Sequence, residues 1–483
     1  MNDKILYNRY KNRNFNEITI LIGAVLVFVT LFTCILSLKA FGRSDGCELF
    51  LFLPISFGYL LVISRWRFLQ FPINIGAVIV VGIEFVKLVL VPMFYVLSDY
   101  PKTIVYNAEY NDYYGIILQA YEAIWIGVSL NQGFRYKKNK LDVAQCDDKK
   151  SNGRMRYLVV LLLAATCFIC VVAPEILANY RSILDASDSQ YTNIEQSYIV
   201  DKYATSTIKK LFLVLANYWL KPMRLLFPAV AMILLRKHKS KLCKMISMIL
   251  AVSPMLIIDG TVARSLYFTL VLLLLYFHLY KINNKKMILL FLAAAIFIFV
   301  YWLVRFYAVE RDYTVFTYFA EKLNDYFCGF NIVGATLNLP SELEYHVKYF
   351  AYDFIRTIPF CNTIFGLEST DTVRNFFNAF SHTTGGQIAS TLGMGSYYLT
   401  PLFAPLYSYI FSKKAISYSA LAEDIENPYY KLVYSFIALY FALGIGINDI
   451  STTLSNLVQV ALPIYIVVRL AYPRAQKEER NRA

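Results

Sequence analysis

Apolar runs of about 20 residues recur along this chain, from about residue 18 to about residue 470. A run of that length crosses ~30 Å of hydrocarbon when it is helical. Hydrocarbon offers no water to backbone amides, so a helix satisfies them within the run itself. Composition agrees: 58% of residues are hydrophobic and 17% charged, against roughly 25% charged in a soluble domain. The pattern excludes a string of soluble domains and predicts one all-α, polytopic membrane domain over 1–483. The runs fall at about 18–38, 48–64, 72–97, 113–130, 157–178, 211–235, 245–258, 265–280, 287–304, 396–412, 432–447 and 453–470, which makes about twelve transmembrane helices.

The net charge of +14 would suggest nucleic acid in a soluble chain. Here the lysines and arginines fall in alternate connections, the distribution of a membrane protein with a positive cytoplasmic side. The head carries Lys4, Arg9, Lys11 and Arg13, the connection 131–156 is strongly basic, and the tail ends in Arg474, Lys477, Arg480 and Arg482. A cytoplasmic N-terminus puts all of these on one side, and an even number of spans returns the C-terminus there. The first run is followed by Lys39 and Phe41 rather than a small-residue cleavage site, so it is expected to remain as a span. The polar segments 98–112 and 179–205 and the long loop of about 306–395 then face outward.

No Walker loop, dinucleotide fingerprint, zinc spacing, HExxH or internal repeat occurs in the sequence. The expectation is therefore no cofactor and no metal. Cys34, Cys167 and Cys170 lie in apolar runs, while Cys328 and Cys361 share the long loop, where a disulfide between them is one option.

Charges inside spans cost free energy and mark candidate sites. Lys221 and Arg224 lie three apart on one helix face, and Arg264 opens the eighth run at its outer end. Together these cations suit a lipid-linked phosphate or diphosphate, although they can also pair with acids or snorkel. Glu84 and Lys87, again three apart, read as a structural ion pair. In the loop, Tyr313, Phe316, Ala320, Leu323 and Phe327 form one helical stripe, and Val347, Phe350, Ala351 and Phe354 a second. Both predict helices that lie on the membrane surface or pack across the mouth of a bundle. The second leaves Lys348, Tyr352 and Arg356 on its other side with Asp353 nearby, a surface suited either to sugars or simply to water. From Asp371 to Pro401 the chain brings together Arg374, His382, Gly385-Gly386-Gln387, Gly393, Gly395 and Tyr397-Tyr398. A fixed cation, a group that exchanges protons near neutrality and glycines that permit close approach suggest a site, or an ordinary loop-to-helix transition.

These residues carry a resemblance. Gly329-Phe330 after an aromatic run, Asn375-Phe376-Phe377-Asn378, Gly385-Gly386-Gln387-Ile388, and Gly393 before Tyr397 and Pro401, set on a many-span chain with one dominant late outer loop, resemble the bacterial polysaccharide repeat-unit polymerases of the Wzy family. Arg374 and Gly385 match an arginine, ten residues, glycine spacing found in some members. A second copy of that spacing is absent, since 182–205 has no glycine. The resemblance implies a GT-C-like bundle in the bacterial cytoplasmic membrane. It implies transfer of a growing glycan from undecaprenyl diphosphate onto a new lipid-linked repeat unit, with a chain-length regulator and a flippase of the same pathway as partners and no nucleic acid. Arg264, Arg374, Lys221, Arg224 and Arg356 are then the expected diphosphate contacts, and His382, Asp353 or Glu344 the expected base. A lipid-linked oligosaccharide flippase, a glycan ligase and an ion-coupled transporter are the alternatives. The long loop and the lack of repeats count against the flippase, and the scarcity of acids within spans against the transporter.

Overall fold

A computed structural model describes residues 17–40, 47–69, 74–98, 112–133, 149–174, 205–237, 313–367, 372–381 and 389–472, with a few isolated positions between 240 and 307. Every regular element among the described residues is helical. Four helices are long and apolar enough to cross a membrane: Thr19–Ser37, Ile75–Leu97, Gly153–Val172 and Ile450–Ala471. They coincide with the first, third, fifth and twelfth predicted runs. The helix at the second run, Glu48–Ile63, is apolar but shorter. The seventh and eighth runs and most of the ninth lie outside the described residues. The first helix, α1 (Glu17–Ser37), exposes Leu21, Phe28, Leu31 and Ile35, a face compatible with hydrocarbon rather than water.

The chain divides into two compact units: Met1–Lys137, Arg311–Ala420 and Ile437–Ser455 form one, and Lys138–Glu310, Leu421–Phe436 and Asn456–Ala483 the other. In the first unit, α2 (Phe52–Ile63) packs along α5 (Asp112–Gly133). Helix α3 (Ile75–Phe85) starts at an Asn74 cap whose side chain accepts from the Ala77 N–H. It continues through one π turn, Val86–Leu90, into α4 (Val91–Leu97). The long-loop region adds α8 (Val315–Tyr326), capped by Thr314, the short α9 (Phe330–Gly334), α10 (Leu343–Ile355), α11 (Val373–Phe380), capped by Thr372, and α12 (Thr391–Leu399), capped by Ser390. Each cap satisfies an amide that the first helical turn leaves open.

This region packs into the unit. Helix α8 buries Tyr318, Phe319, Ala320 and Leu323, and Phe316 and Phe319 stack on Phe94 of α4 at 6.3 and 5.6 Å. Of the two placements expected for this first stripe, the contacts fit packing against the bundle: the helix is clamped to the end of a candidate span. Helix α9 meets α5 at Gly115, where an added Cβ would lie 1.9 Å from the Phe330 carbonyl oxygen. Around it Phe50, Tyr95 and Phe330 form an edge-to-face cluster. The Tyr95 hydroxyl donates to Asn331 (3.1 Å), which donates in turn to Asp112 (3.1 Å).

The predicted run 396–412 is not one helix. Helix α12 ends at Leu399, Thr400 has a φ of +75°, and α13 (Leu406–Asp424) starts beyond Pro405. Pro401 removes an amide donor and forces the preceding residue out of the helical region. Helices α14 (Pro428–Leu443) and α15 (Ile450–Asn456) follow, and α15 passes through a second π turn, Leu457–Ala461, into α16 (Leu462–Ala471).

In the second unit, α6 (Lys149–Val172) and α7 (Thr207–Lys237) pack together and against the π turn and α16. The Trp219 indole donates to Thr166 at 3.0 Å.

Candidate functional site

Helix α10 organises the site. It turns Tyr349 and Asp353, one helical turn apart, into the unit, and both are buried. The stripe Val347, Phe350 and Phe354 is exposed. The polar side chains that hydropathy would place in water, Lys348, Tyr352 and Arg356, are only half-exposed. The helix therefore presents its apolar face outward, the orientation of a helix lying in a hydrocarbon boundary, and packs its aromatic and acidic face against the protein.

Rings hold that inner face in place. Tyr349 stacks on Phe376 of α11 with centroids 3.8 Å apart. Tyr345 stacks on the same ring at 5.8 Å and meets Phe380 edge-on. His346 stacks on Tyr397 of α12 at 3.9 Å, and the Tyr397 hydroxyl donates to the Pro340 carbonyl at 2.7 Å. Such pairs each contribute roughly 0.5–1.5 kcal/mol beyond area burial. They draw three short helices into one aromatic wall. Cations border it: Lys348 lies 5.5 and 5.6 Å from the Tyr349 and Tyr352 ring centroids, and Arg356 5.7 Å from that of Tyr352. Arg374, half-buried, stands two residues before Phe376 on α11.

Asp353 lies behind this wall with 1% exposure. Neither carboxyl oxygen has a hydrogen-bond partner among the described residues, and neither does the Tyr398 hydroxyl. Burial pushes the Asp353 carboxyl well above the usual carboxylate range, the charge of Asp449 pushes it the same way, and the neighbouring Tyr398 hydroxyl opposes them without reaching a hydrogen bond of normal geometry. Asp449 is itself committed, accepting from the Thr452 amide at 2.6 Å at the start of α15. Burial without a hydrogen-bond partner among the described residues thus favours the protonated form of Asp353 more than in a free aspartate.

The expected site residues separate as follows. Asp353, Arg356 and Glu344 share α10, and α11 with Arg374 packs on that helix. Glu344 is exposed in its first turn. Lys221 and Arg224 belong to α7 in the second unit, where Lys221 donates to Gln459 at 3.1 Å and lies 5.5 Å from the Tyr218 ring centroid. His382, Gly385, Gly386 and Arg264 lie outside the described residues. Gly393 and Gly395, which the sequence suggests for close approach to a ligand, instead meet the chain itself: an added Cβ would lie 2.5 Å from the Thr336 side chain and 2.3 Å from the Ala404 carbonyl. Cys328 and Cys361 are free thiols.

Sequence reasoning missed His346. Its spacing to Tyr349 and Asp353, three and then four residues, puts all three on one helical face, and that periodicity was available to find it. It also missed Glu122, a single acid within an apolar run.

No family model, no curated protein and no solved structure matches the chain.

Proposed function

We propose that this chain is a membrane glycosyltransferase of the Wzy type, polymerising undecaprenyl-diphosphate-linked repeat units into a bacterial surface polysaccharide. About twelve helices cross the cytoplasmic membrane in a GT-C-like bundle with both termini inside, and the region 306–395 works on the outer side. The observation that carries the reading is the aromatic wall of α10, α11 and α12, bordered by Lys348, Arg356 and Arg374, in front of a buried carboxyl that has no hydrogen-bond partner among the described residues. Rings stack on the apolar faces of pyranoses. Guanidinium groups take diphosphate oxygens in pairs.

In the reaction, an acceptor hydroxyl of the new repeat unit attacks the anomeric carbon of the growing chain. The new C–O bond forms as the bond to the diphosphate breaks, and the diphosphate leaves with its electron pair. Arg374 and Arg356 stabilise the charge developing there. The hydroxyl proton passes to a base: His382, or Asp353 in its ionised form, with Glu344 the more exposed choice. Bond energy comes from the phosphate ester, so the protein contributes position and charge.

The test is the lipid-linked and surface glycan pool of cells carrying Arg374→Ala or Asp353→Asn. Single repeat units exported and attached but not extended support the proposal. Repeat units retained on the inner leaflet would point to a flippase. Long unattached chains would point to a ligase. Either of these, or unchanged polymer in both variants, overturns it.

A further inference from the structure

A second polar centre lies within the helix bundle of the first unit, and the glycan chemistry leaves it unused. Lys87, in the π turn Val86–Leu90, donates to Glu84 Oε1 at 2.9 Å and to Glu122 Oε2 of α5 in a shorter contact. The Ser408 hydroxyl of α13 donates to the other Glu122 oxygen at 2.5 Å. The side chains of Lys87, Glu84 and Glu122 are 1%, 0% and 0% exposed. Two carboxylates thus face one ammonium in an apolar interior. An uncompensated buried charge costs several kcal/mol even after relaxation, so the trio is short of one positive charge.

The hydrogen bonding points the same way. Glu84 Oε2 has no hydrogen-bond partner among the described residues. On α5, Gln119 stands three residues before Glu122 and shares its face. Its amide nitrogen donates to the Cys328 carbonyl at 3.0 Å, which leaves its oxygen as the bare atom. That oxygen is wholly buried and also has no hydrogen-bond partner among the described residues. Two buried acceptor oxygens, one within the trio and one a helical turn from Glu122, therefore lack a donor among the described residues.

Among the described residues, no other positive charge is recorded against the trio. The Cys328 thiol, pushed up to about 12 by burial, feels Lys87 lowering it and Asp449, Glu122 and Asp325 raising it. Among the described residues no three His, Cys, Asp or Glu side chains converge as a divalent metal would need. A deficit of one charge calls for a monovalent species. A π turn at that point fits a functional position, since such turns recur at sites where a regular helix would misplace a side chain.

We infer that the first unit binds one monovalent cation, a proton or an alkali ion, beside Glu84 and Gln119 within the helix bundle. The site stands apart from the aromatic wall and does not depend on the glycosyltransferase reading. It gives the bundle an ion-linked stability.

The experiment uses the full chain in lipid nanodiscs. Melting is followed in choline, potassium, sodium and lithium chloride at fixed ionic strength, and then in choline alone across about pH 5.5 to 8.5. Asp325 and Asp353 titrate too, so the background carries Asp325→Asn and Asp353→Asn. An alkali ion is supported by a melting point that rises with one alkali salt over choline, and by a shift of that rise to about tenfold higher salt in Gln119→Leu. A proton is supported by a melting point in choline that rises as pH falls, with the slope lost in Glu84→Gln. If Glu84→Gln does not fold, the infrared band of a protonated carboxylic acid, read at high pH in the same background, takes its place. The inference is overturned if melting is indifferent to the alkali ion and, in addition, the pH slope survives Glu84→Gln or no protonated band is present.

Discussion

Two carboxyls of the long-loop region govern how this protein should respond to pH. Asp353, buried and without a hydrogen-bond partner among the described residues, binds its proton more tightly than a free aspartate. Its basic form therefore grows only as pH rises through a value well above the ordinary carboxylate range. If Asp353 is the base, polymerisation measured with purified components should keep rising toward alkaline pH where a normal carboxylate has already levelled off. Asp353→Asn should lower the rate by about 10²- to 10⁴-fold and remove that rise. A rise that persists in the variant assigns the base to another group. Asp325, at the end of α8, is raised by burial from 3.8 to about 8. Since the folded state binds this proton more tightly than the unfolded chain, its contribution to stability is full below about pH 4. It is lost as pH climbs through about 8, a change of a few kcal/mol at most. Melting in nanodiscs should therefore fall between about pH 5 and 9, and Asp325→Asn should flatten the fall.

The contacts between helices are close enough to predict which substitutions separate them. At Gly115 an added Cβ lies 1.9 Å from the Phe330 carbonyl oxygen, and backbone cannot yield as a side-chain tip can. Gly115→Val should force α5 away from α9 and cost about 1–3 kcal/mol of stability, read as a lower melting temperature, whereas Gly82→Ala, with nothing within 4 Å of its added Cβ, should change little. Phe376→Ala removes the ring on which Tyr349 and Tyr345 both stack. Amide exchange in α10 and α11 should rise while α2 and α5 keep their protection. How much of this was legible in the sequence differs from helix to helix. Long apolar runs such as Thr19–Ser37 announce themselves, because the bilayer imposes their length. Pro401 announces a break, yet reading hydropathy alone makes 396–412 one span. The stripe Val347, Phe350 and Phe354 was legible as one face of α10, and it is the exposed one; the inward turn of Tyr349 and Asp353 was not, because ring stacking against α11 is set by packing that periodicity does not encode. The partner of Lys87 was half legible. Glu84 is a helical turn away in sequence, whereas Glu122 is 35 residues distant and reaches it only through packing that periodicity does not encode.

A chain that exposes apolar side chains along α1 and along α10 while burying Glu84, Lys87, Glu122 and Asp353 inverts the arrangement of a water-soluble protein. That inversion holds together only if lipid covers the outer faces, because exposed leucine and phenylalanine gain nothing from water while buried charges need each other. Lipid then constrains orientation through charge. The connection 131–156 carries eight lysines and arginines, and moving such a cluster across the bilayer opposes the bias that sets membrane topology. The region of α10 is separated from that connection by an odd number of the predicted runs, so the two should lie on opposite sides. In a cysteine-free background, a single cysteine at Glu344, which is exposed, should react in intact cells with a maleimide that cannot cross the membrane. A single cysteine at Lys138 should react only after permeabilisation. The odd number matters more than the exact count: gaining or losing a whole hairpin elsewhere leaves the outcome unchanged, whereas one extra crossing between the two positions reverses it. Labelling of both cysteines from the same side would place the aromatic wall with the basic connection, and the acceptor glycan would then need a different entrance.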